Sequence, residues 1–376
     1  MKPGGESMIC NPWELDVSLM HRLAQTPQNP RYHGEGDVLT HTRMVEACLT
    51  ELEEYRALPG AQQELLWTAA VLHDIGKARV TRLEEGRWTS PNHTAVGAMM
   101  ARQLLWQDRG LSGTPEKRNF REGVCALIRY HSLPAHAIDR EDGKRRLMKV
   151  AALGELIPGF TIRLLCILAK ADALGRICED REELLERVEL CQALAEEAGC
   201  LDGPYPFPSE HTRFLYLNGR YPLADQPLYD DTWGPVILMS GLPGTGKDTF
   251  IAANYPDLPV VSLDQIRREL GISPEDHQMP VVEEANRRAK ELLRRRQPFV
   301  WNAINLSPRI RQRIIGLLTD YKAAVRIEFL ETSWQEGLRR NRSRREEVPE
   351  GAICRMMESL VPPEPGEAHC VRWHCV

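Results

Sequence analysis

The spacing of apolar residues changes once along this chain of 376 residues, and that change limits the possible folds more than any single motif. From about Asp37 to Glu197 apolar residues recur at three and four, the period of helices with one buried face. Breaks fall at Pro59-Gly60, Gly110 to Pro115, Pro134 and Pro158-Gly159. After about Gly234 the short apolar runs 236–240, 259–263, 299–301 and 325–330 alternate with helical stretches such as Glu283 to Arg296 and Arg309 to Tyr321. Strands alternating with helices imply a mostly parallel sheet. Between the two textures lies a segment rich in proline, tyrosine, aspartate and glycine. The chain therefore reads as multidomain: an all-α domain over 1–200, a linker over 201–233 and an α/β domain over 234–376. Its length, beyond which a single core usually stops growing, points the same way.

Composition serves mainly to exclude. No apolar run is long enough to span a bilayer, and the first residues lack an apolar stretch followed by a small-residue cleavage site, so a cytoplasmic protein with no membrane partner is expected. The ten cysteines form no CxxC pair. Cys48, Cys125 and Cys166 fall within apolar helical patterns and read as reduced core thiols. A net charge of −5 averages over unequal halves, the acidic excess lying before Gly234, so it neither supports nor excludes an anionic polymer as partner.

Gly241-Leu-Pro-Gly-Thr-Gly-Lys247 matches the phosphate-binding P-loop pattern where that pattern has meaning, between a predicted strand and a predicted helix. Gly241, Gly244, Thr245 and Gly246 allow backbone N–H groups to wrap phosphates, and Lys247 supplies a point charge to the β and γ oxygens of a nucleoside triphosphate. The position that usually carries a Mg²⁺-binding Ser or Thr is Asp248, with Thr249 next, which leaves both open as Mg²⁺ organisers. Asp264 and Arg267 follow the second predicted strand and so face the carboxyl edge of the sheet, where the P-loop also sits. A carboxylate there can take a proton from an attacking hydroxyl; a Mg²⁺-organising or helix-capping aspartate is the alternative. The run Arg339-Arg-Asn-Arg-Ser-Arg-Arg345 is either a solvated face or an arginine lid over the triphosphate.

These residues, with Asn302-Ala-Ile-Asn305 and Asn341 through Val348-Pro349, resemble the kinase module of bacterial and phage 5′-OH polynucleotide kinases. The resemblance implies Asp264 as general base, Arg267 on the acceptor-side phosphate and Arg344 on the donor phosphates. Arg342 and Arg345 remain candidates for that last role, because the spacing to Val348-Pro349 departs from the phage pattern by one residue.

In the helical half, His73-Asp74 closes an apolar helix ahead of Ile75-Gly76-Lys77 and resembles the signature of the HD phosphohydrolase superfamily. More ligand-type residues interrupt other apolar stripes. His41 is in register with Met44, Val45, Cys48, Leu49 and Leu52, His131 follows Leu127 and Ile128, Asp172 follows Leu165 and Leu168, and His93 opens the helix after Pro91. Any one of these histidines alone reads as a satisfied core residue. A carboxylate on such a stripe costs several kcal/mol unless a cation or hydrogen bonds compensate, and the whole order H…HD…H…H…D reads as a metal site. Imidazole and carboxylate suit Mn²⁺, Ni²⁺, Co²⁺ or Zn²⁺, and a bridging carboxylate can hold two such ions to polarise a phosphoryl group and activate water. The superfamily resemblance implies His41, His73, Asp74 and Asp172 on one ion, with Asp74 bridging to a second held by His93 and His131. Lys77 and Arg176, each one turn beyond a ligand, are then placed to bind substrate phosphate; the alternative is surface charge at helix ends.

An HD module ahead of a polynucleotide-kinase-like module resembles the bifunctional bacterial HD-Pnk enzymes over nearly the whole chain. The resemblance implies removal of a 2′,3′-cyclic phosphate or 2′-phosphate from RNA, phosphorylation of a 5′-OH end of RNA or DNA with ATP or another NTP and Mg²⁺, and a separate ligase that seals the healed ends. Two other functions fit the residues: a phosphohydrolase-kinase for small nucleotides or nucleosides, and an ATP-sensing regulator with a vestigial metal site.

Overall fold

The computed structural model describes residues 17–344 and 346–376. Two compact units emerge, and each is described by itself. The first holds the described residues up to Leu111 with Glu116–Tyr205, and the second holds Pro206–Val376 with Ser112–Pro115.

The first unit is helical. Its central helix, Ile162–Leu174, is apolar nearly all round and therefore buried. It packs on Val38–Glu51, Gly60–Leu72 and Arg181–Glu197. Val45, Leu49, Leu66, Leu165 and Leu168 form part of the shared core. Side-chain caps fix where two of these helices begin. The Thr40 N–H donates to Asp37 Oδ1 at 2.9 Å, and the Leu164 N–H donates to Thr161 Oγ1 at 3.3 Å. A two-stranded hairpin, β1 (Arg82–Glu84) and β2 (Arg87–Thr89), departs from the all-helical expectation. Its strands are short and largely exposed, so no apolar alternation marks them. The turn is carried by Glu85 and Gly86, both at positive φ.

The second unit carries β3 (Trp233–Ser240), β4 (Val260–Ser262), β5 (Val300–Asn302), β6 (Ala323–Glu331) and β7 (Cys370–Cys375) in one sheet of order β4-β5-β3-β6-β7, every pair parallel. Ile237, Met239, Ile251, Val300 and Leu330 form a buried cluster within it. The half-polar edge strand β7 escaped the sequence reading, because only one of its residues, Val371, is fully covered. The segment 201–233 is not a plain linker. Helix Glu210–Leu217 buries Phe214 and Leu217, Phe214 stacks on His369 with ring centroids 4.3 Å apart, and Asn218 Nδ2 donates to Gly366 O at 2.8 Å. From Pro206 onward the segment folds with the sheet, its apolar face hidden among prolines in the sequence. Among the described residues no helix is long and apolar enough to cross a membrane. The described cysteines are all free, with Cys125 and Cys166 buried and Cys48 half-buried.

Candidate active sites

Five helical segments of the first unit bring His41, His73, Asp74, His93, His131 and Asp172 to one place. All but His93 are buried. His41 Nε2 lies 3.1 Å from Asp172 Oδ1 and 3.7 Å from Asp74 Oδ2, which is itself 3.3 Å from His73 Nε2. The other oxygen, Asp74 Oδ1, faces His93 Nε2 at 3.5 Å. Two sets of donor atoms thus form, His41/His73/Asp172 and Asp74/His93/His131, each able to hold one ion, with the Asp74 carboxylate turned toward both. The residues fit metal by a second criterion. His41 Nε2, His73 Nε2 and Asp74 Oδ1 are buried without a hydrogen-bond partner, a cost that a cation removes.

The local structure presents Nε2 from three of these rings. Nδ1 of His73, His93 and His131 donates to the carbonyl three residues back, Ala70 at 2.7 Å, Ser90 at 3.0 Å and Ile128 at 2.8 Å. A carbonyl can only accept, so each proton sits on Nδ1 and the ligating lone pair on Nε2. Gly76 lets His93 approach. A Cβ there would lie 2.1 Å from the His93 carbonyl oxygen, so only glycine permits the turn after Asp74 to rest on the helix that His93 opens. The helices carrying His93 and leading to His131 are locked by buried Arg102 and Glu122, with Nε–Oε1 3.0 Å and Nη2–Oε2 2.8 Å. Burial pushes the Glu122 carboxyl up, but Arg102 and Arg121 outweigh it and hold the group at about 2.

The electrostatics hold four of the six groups in their ligand-binding forms, whereas Asp172 and Glu35 outweigh burial and raise His41. Burial drives His131 down to about 3 and lowers His93, so both are neutral. Burial opposes the charge on Asp74 and Asp172, yet Lys77 and His73 for the first, and Arg176 and His41 for the second, hold both well below the usual carboxylate range. Lys77 is buried, not a surface charge: its ammonium lies 2.7 Å from both Asp74 Oδ2 and Gln28 Oε1. Arg176 grips Asp172 through Nε at 3.0 Å and a second contact from Nη2. Both cations therefore border the cluster. His136, left outside the metal set, is exposed on the short helix Leu133–His136.

In the second unit the glycine-rich loop leaves β3 and enters helix Lys247–Asn254. Gly244 is required by conformation and by space, with φ at +81° and a Cβ there 2.3 Å from Gly337 O. Helix Trp334–Arg342 consequently packs on the loop itself. Lys247 Nζ donates to Gly241 O and Leu242 O at 2.9 Å each, and burial lowers its ammonium to about 8. Thr245 Oγ1 donates to Leu242 O at 2.8 Å. Asp248, exposed like Thr249, accepts at Oδ1 from Asn302 Nδ2, at the end of β5, at 2.6 Å.

Asp264 stands in the first turn of helix Leu263–Leu270 but does not cap it. That role falls to Ser262, whose Oγ accepts from the Gln265 N–H at 3.3 Å, which removes the capping alternative. The exposed Asp264 carboxylate pairs with Arg267, and Arg344 Nη2 lies 3.5 Å from Asp264 Oδ2. Arg267 is steadied by Gln278, Nε–Oε1 2.9 Å. Arg342 reaches Glu350 at 3.5 Å, and Arg345 lies outside the described residues. Asn341 exchanges two hydrogen bonds with the Val348 backbone, at 2.8 and 3.2 Å, and so closes the loop that follows the arginine helix.

Several residues at these sites were not singled out in the sequence. Arg340 Nη1 lies 3.5 Å from where a Cβ on Gly246 would be, while its Nε pairs with Glu336 at 2.6 Å, so this arginine of the run overhangs the P-loop. Helix phase, not residue type, distinguishes it from its neighbours. His33, Glu35 and Gln28 reach the histidine–aspartate cluster from a stretch without apolar periodicity, where no sequence signal marks them.

Comparison with known proteins divides the chain in the same way. The HD domain family matches residues 38–177, and the AAA domain family matches residues 236–363. A solved gluconokinase from Sinorhizobium meliloti 1021 is 19% identical over 37% of this chain and 82% of its own, with a TM-score of 0.28. The chain thus joins a helical HD domain to an α/β P-loop kinase-like domain with a five-stranded parallel sheet. It is a phosphohydrolase-type module followed by a nucleotide-binding, kinase-type module.

Proposed function

We propose that the chain heals broken nucleic-acid ends, RNA above all: the HD unit removes a 2′,3′-cyclic phosphate or 2′-phosphate, and the P-loop unit phosphorylates a 5′-hydroxyl. The observation that carries the acceptor side is the exposed Asp264 carboxylate, set between Arg267 and Arg344 at the sheet edge that bears the P-loop. An open carboxylate with a cation on either side suits a hydroxyl flanked by phosphate on a chain that extends into solvent. In this reading Asp264 takes the proton of the 5′-hydroxyl as it attacks the γ-phosphate. Arg267 holds the acceptor's neighbouring phosphate, Lys247 and Arg344 neutralise charge on the donor, and Arg340 closes over the loop. Asp248 or Thr249 organises Mg²⁺.

In the HD unit His41, His73, Asp74 and Asp172 hold one divalent ion, and Asp74, His93 and His131 hold a second. Such ions, when bound, polarise the phosphoryl group and lower the pKa of water. Lys77 and Arg176 bind the substrate's phosphate oxygens, and Asp74 is the group both halves of the site share.

The test is a short RNA with a 5′-hydroxyl and a 2′,3′-cyclic end, incubated with ATP, Mg²⁺ and Mn²⁺ or Ni²⁺, with both ends analysed. Gain of a 5′-phosphate together with loss of the cyclic phosphate is expected. Unchanged ends while free nucleosides or nucleotides are consumed would replace this reading with a small-molecule one.

A further inference from the structure

Three of the four clustered histidines have Nδ1 fixed by the carbonyl three residues back. His41 does not. It lies one turn into helix Val38–Glu51, where the carbonyl three residues back, that of Val38, already accepts the Thr42 hydroxyl at 2.7 Å. What faces His41 Nδ1 instead is a carboxylate: Glu35 Oε1 at 2.8 Å, its side chain only 1% exposed. The separation is that of a hydrogen bond, though the alignment is not, which leaves Nδ1 without another partner.

Glu35 is itself held in place from two directions. His33 Nδ1 donates to the same Oε1 at 2.8 Å, and the Ile177 N–H donates to Oε2 at 3.0 Å. The Gly34 N–H in turn donates to Ile177 O at 2.8 Å. The turn carrying Glu35 is thereby tied to the chain immediately after Asp172 and Arg176. One carboxylate touches the ring that faces Asp172 and anchors to the segment that follows it.

We infer that Glu35 is a positioning residue for the proposed metal centre: it keeps the proton of His41 on Nδ1 and so presents Nε2 to the ion shared with His73, Asp74 and Asp172. A carboxylate can only accept, so it specifies one tautomer of His41, just as the three carbonyls specify those of the other rings. The inference rests on the metal-centre reading above, and it assigns His33 a supporting part, as the donor that aims Oε1.

The experiment uses the full chain stripped of metal and retitrated with Co²⁺, followed by equilibrium dialysis and by visible absorption. Wild-type protein is expected to take up two ions. In Glu35→Ala one of them should bind about 10- to 100-fold more weakly, the range seen for outer partners of metal-bound histidines, while the other stays within about threefold. The absorption of the weakened ion alone should change, which a general loss of folding would not produce. Glu35→Gln keeps the shape but offers one acceptor oxygen to three donors, and about a tenfold weakening is expected. It decides the matter if the alanine variant does not fold. Wild-type protein that binds no ion overturns the metal-centre reading and this inference with it. Wild-type binding of two ions, matched by a folded Glu35 variant with unchanged affinities and spectrum, overturns this inference alone.

Discussion

In the first unit six ligand-type side chains from five helical segments face one another, all but His93 buried, and four of their polar atoms, both ring nitrogens of His41, His73 Nε2 and Asp74 Oδ1, find no hydrogen-bond partner. In the second, the proposed phosphate site is a contiguous loop of backbone with arginines that project outward. On the proposed reading the two sites address the same kind of anion by different physical routes. A closed cluster must offset the desolvation of like charges, so it gains from cations brought in from outside. An open loop supplies partial positive charge from its backbone N–H groups, joined by the half-buried cation of Lys247. The first site depends on long-range packing, the second on a local turn.

The largest expected effect separates the two. Asp74→Ala removes the carboxylate that faces both donor sets and that the proposed mechanism shares between them, so phosphohydrolysis should fall by at least roughly 10³-fold, several kcal/mol of barrier, while kinase activity stays near wild type. Lys247→Ala should do the reverse, lowering phosphoryl transfer by roughly 10²- to 10³-fold. Assaying both activities on each variant checks the comparison. A single substitution that abolishes both breaks it, because each site would then require the other.

Legibility follows the same division. The P-loop was readable because its chemistry is contiguous and its flanks have a strand-to-helix texture. The parallel sheet was readable from alternation, except for β7, whose Arg372, Trp373 and His374 give no apolar run at a sheet edge. Most of the metal-type residues stood out because they interrupt or close an apolar stripe, while His93 was read from its place opening the helix after Pro91: the fully buried His41 stands against Val45 and Leu49. Periodicity marks side chains that point inward from regular elements, and it is silent elsewhere. Glu35 and His33 enter the cluster from a turn before the helix, and Gln28 from irregular chain, so nothing in their spacing told them apart from surface polar residues. Nor can residue type separate Arg340, placed over Gly246, from Arg339, which pairs outward with Glu336.

A pH experiment sharpens the contrast. Burial holds His131 at about 3 and His33 at about 4, below the ordinary 6.5, so the unfolded chain binds more protons than the folded one between those values. Stability of the metal-stripped protein should therefore decline as pH falls from about 6.5 toward 4, each such ring contributing up to roughly 1.4 kcal/mol per pH unit. His41 acts in the opposite sense. Burial lowers it, but Asp172 and Glu35 raise it further, so its contribution is lost as pH rises through its folded value. Asp74 and Asp172, held below 3.8, add their loss only in stronger acid. The P-loop responds at the other end of the scale. Burial brings Lys247 to about 8, so nucleotide affinity should weaken above that pH, by roughly tenfold per unit once the ammonium is mostly neutral. Melting curves from pH 4 to 7 and nucleotide binding from pH 7 to 9 test the pair. An affinity that stays flat to pH 9 would remove Lys247 from the comparison.

The smallest expected effect concerns a place where a side chain from elsewhere in the sheet reaches the residue after the loop. Asp248 occupies the position that follows the P-loop lysine, and Asn302 reaches it from the end of β5 at 2.6 Å. If Asp248 organises Mg²⁺, Asn302 fixes the carboxylate in the orientation the ion needs. Asn302→Ala should then raise the KM for Mg·ATP by about two- to tenfold, the usual net worth of one hydrogen bond, with kcat almost unchanged and a steeper dependence on Mg²⁺ concentration. If the exposed Thr249 serves instead, Asp248→Ala should leave the Mg²⁺ dependence as it is, and Asn302→Ala should alter stability alone. Measuring the Mg²⁺ dependence of both variants decides which of the two side chains completes a loop that otherwise works through its backbone.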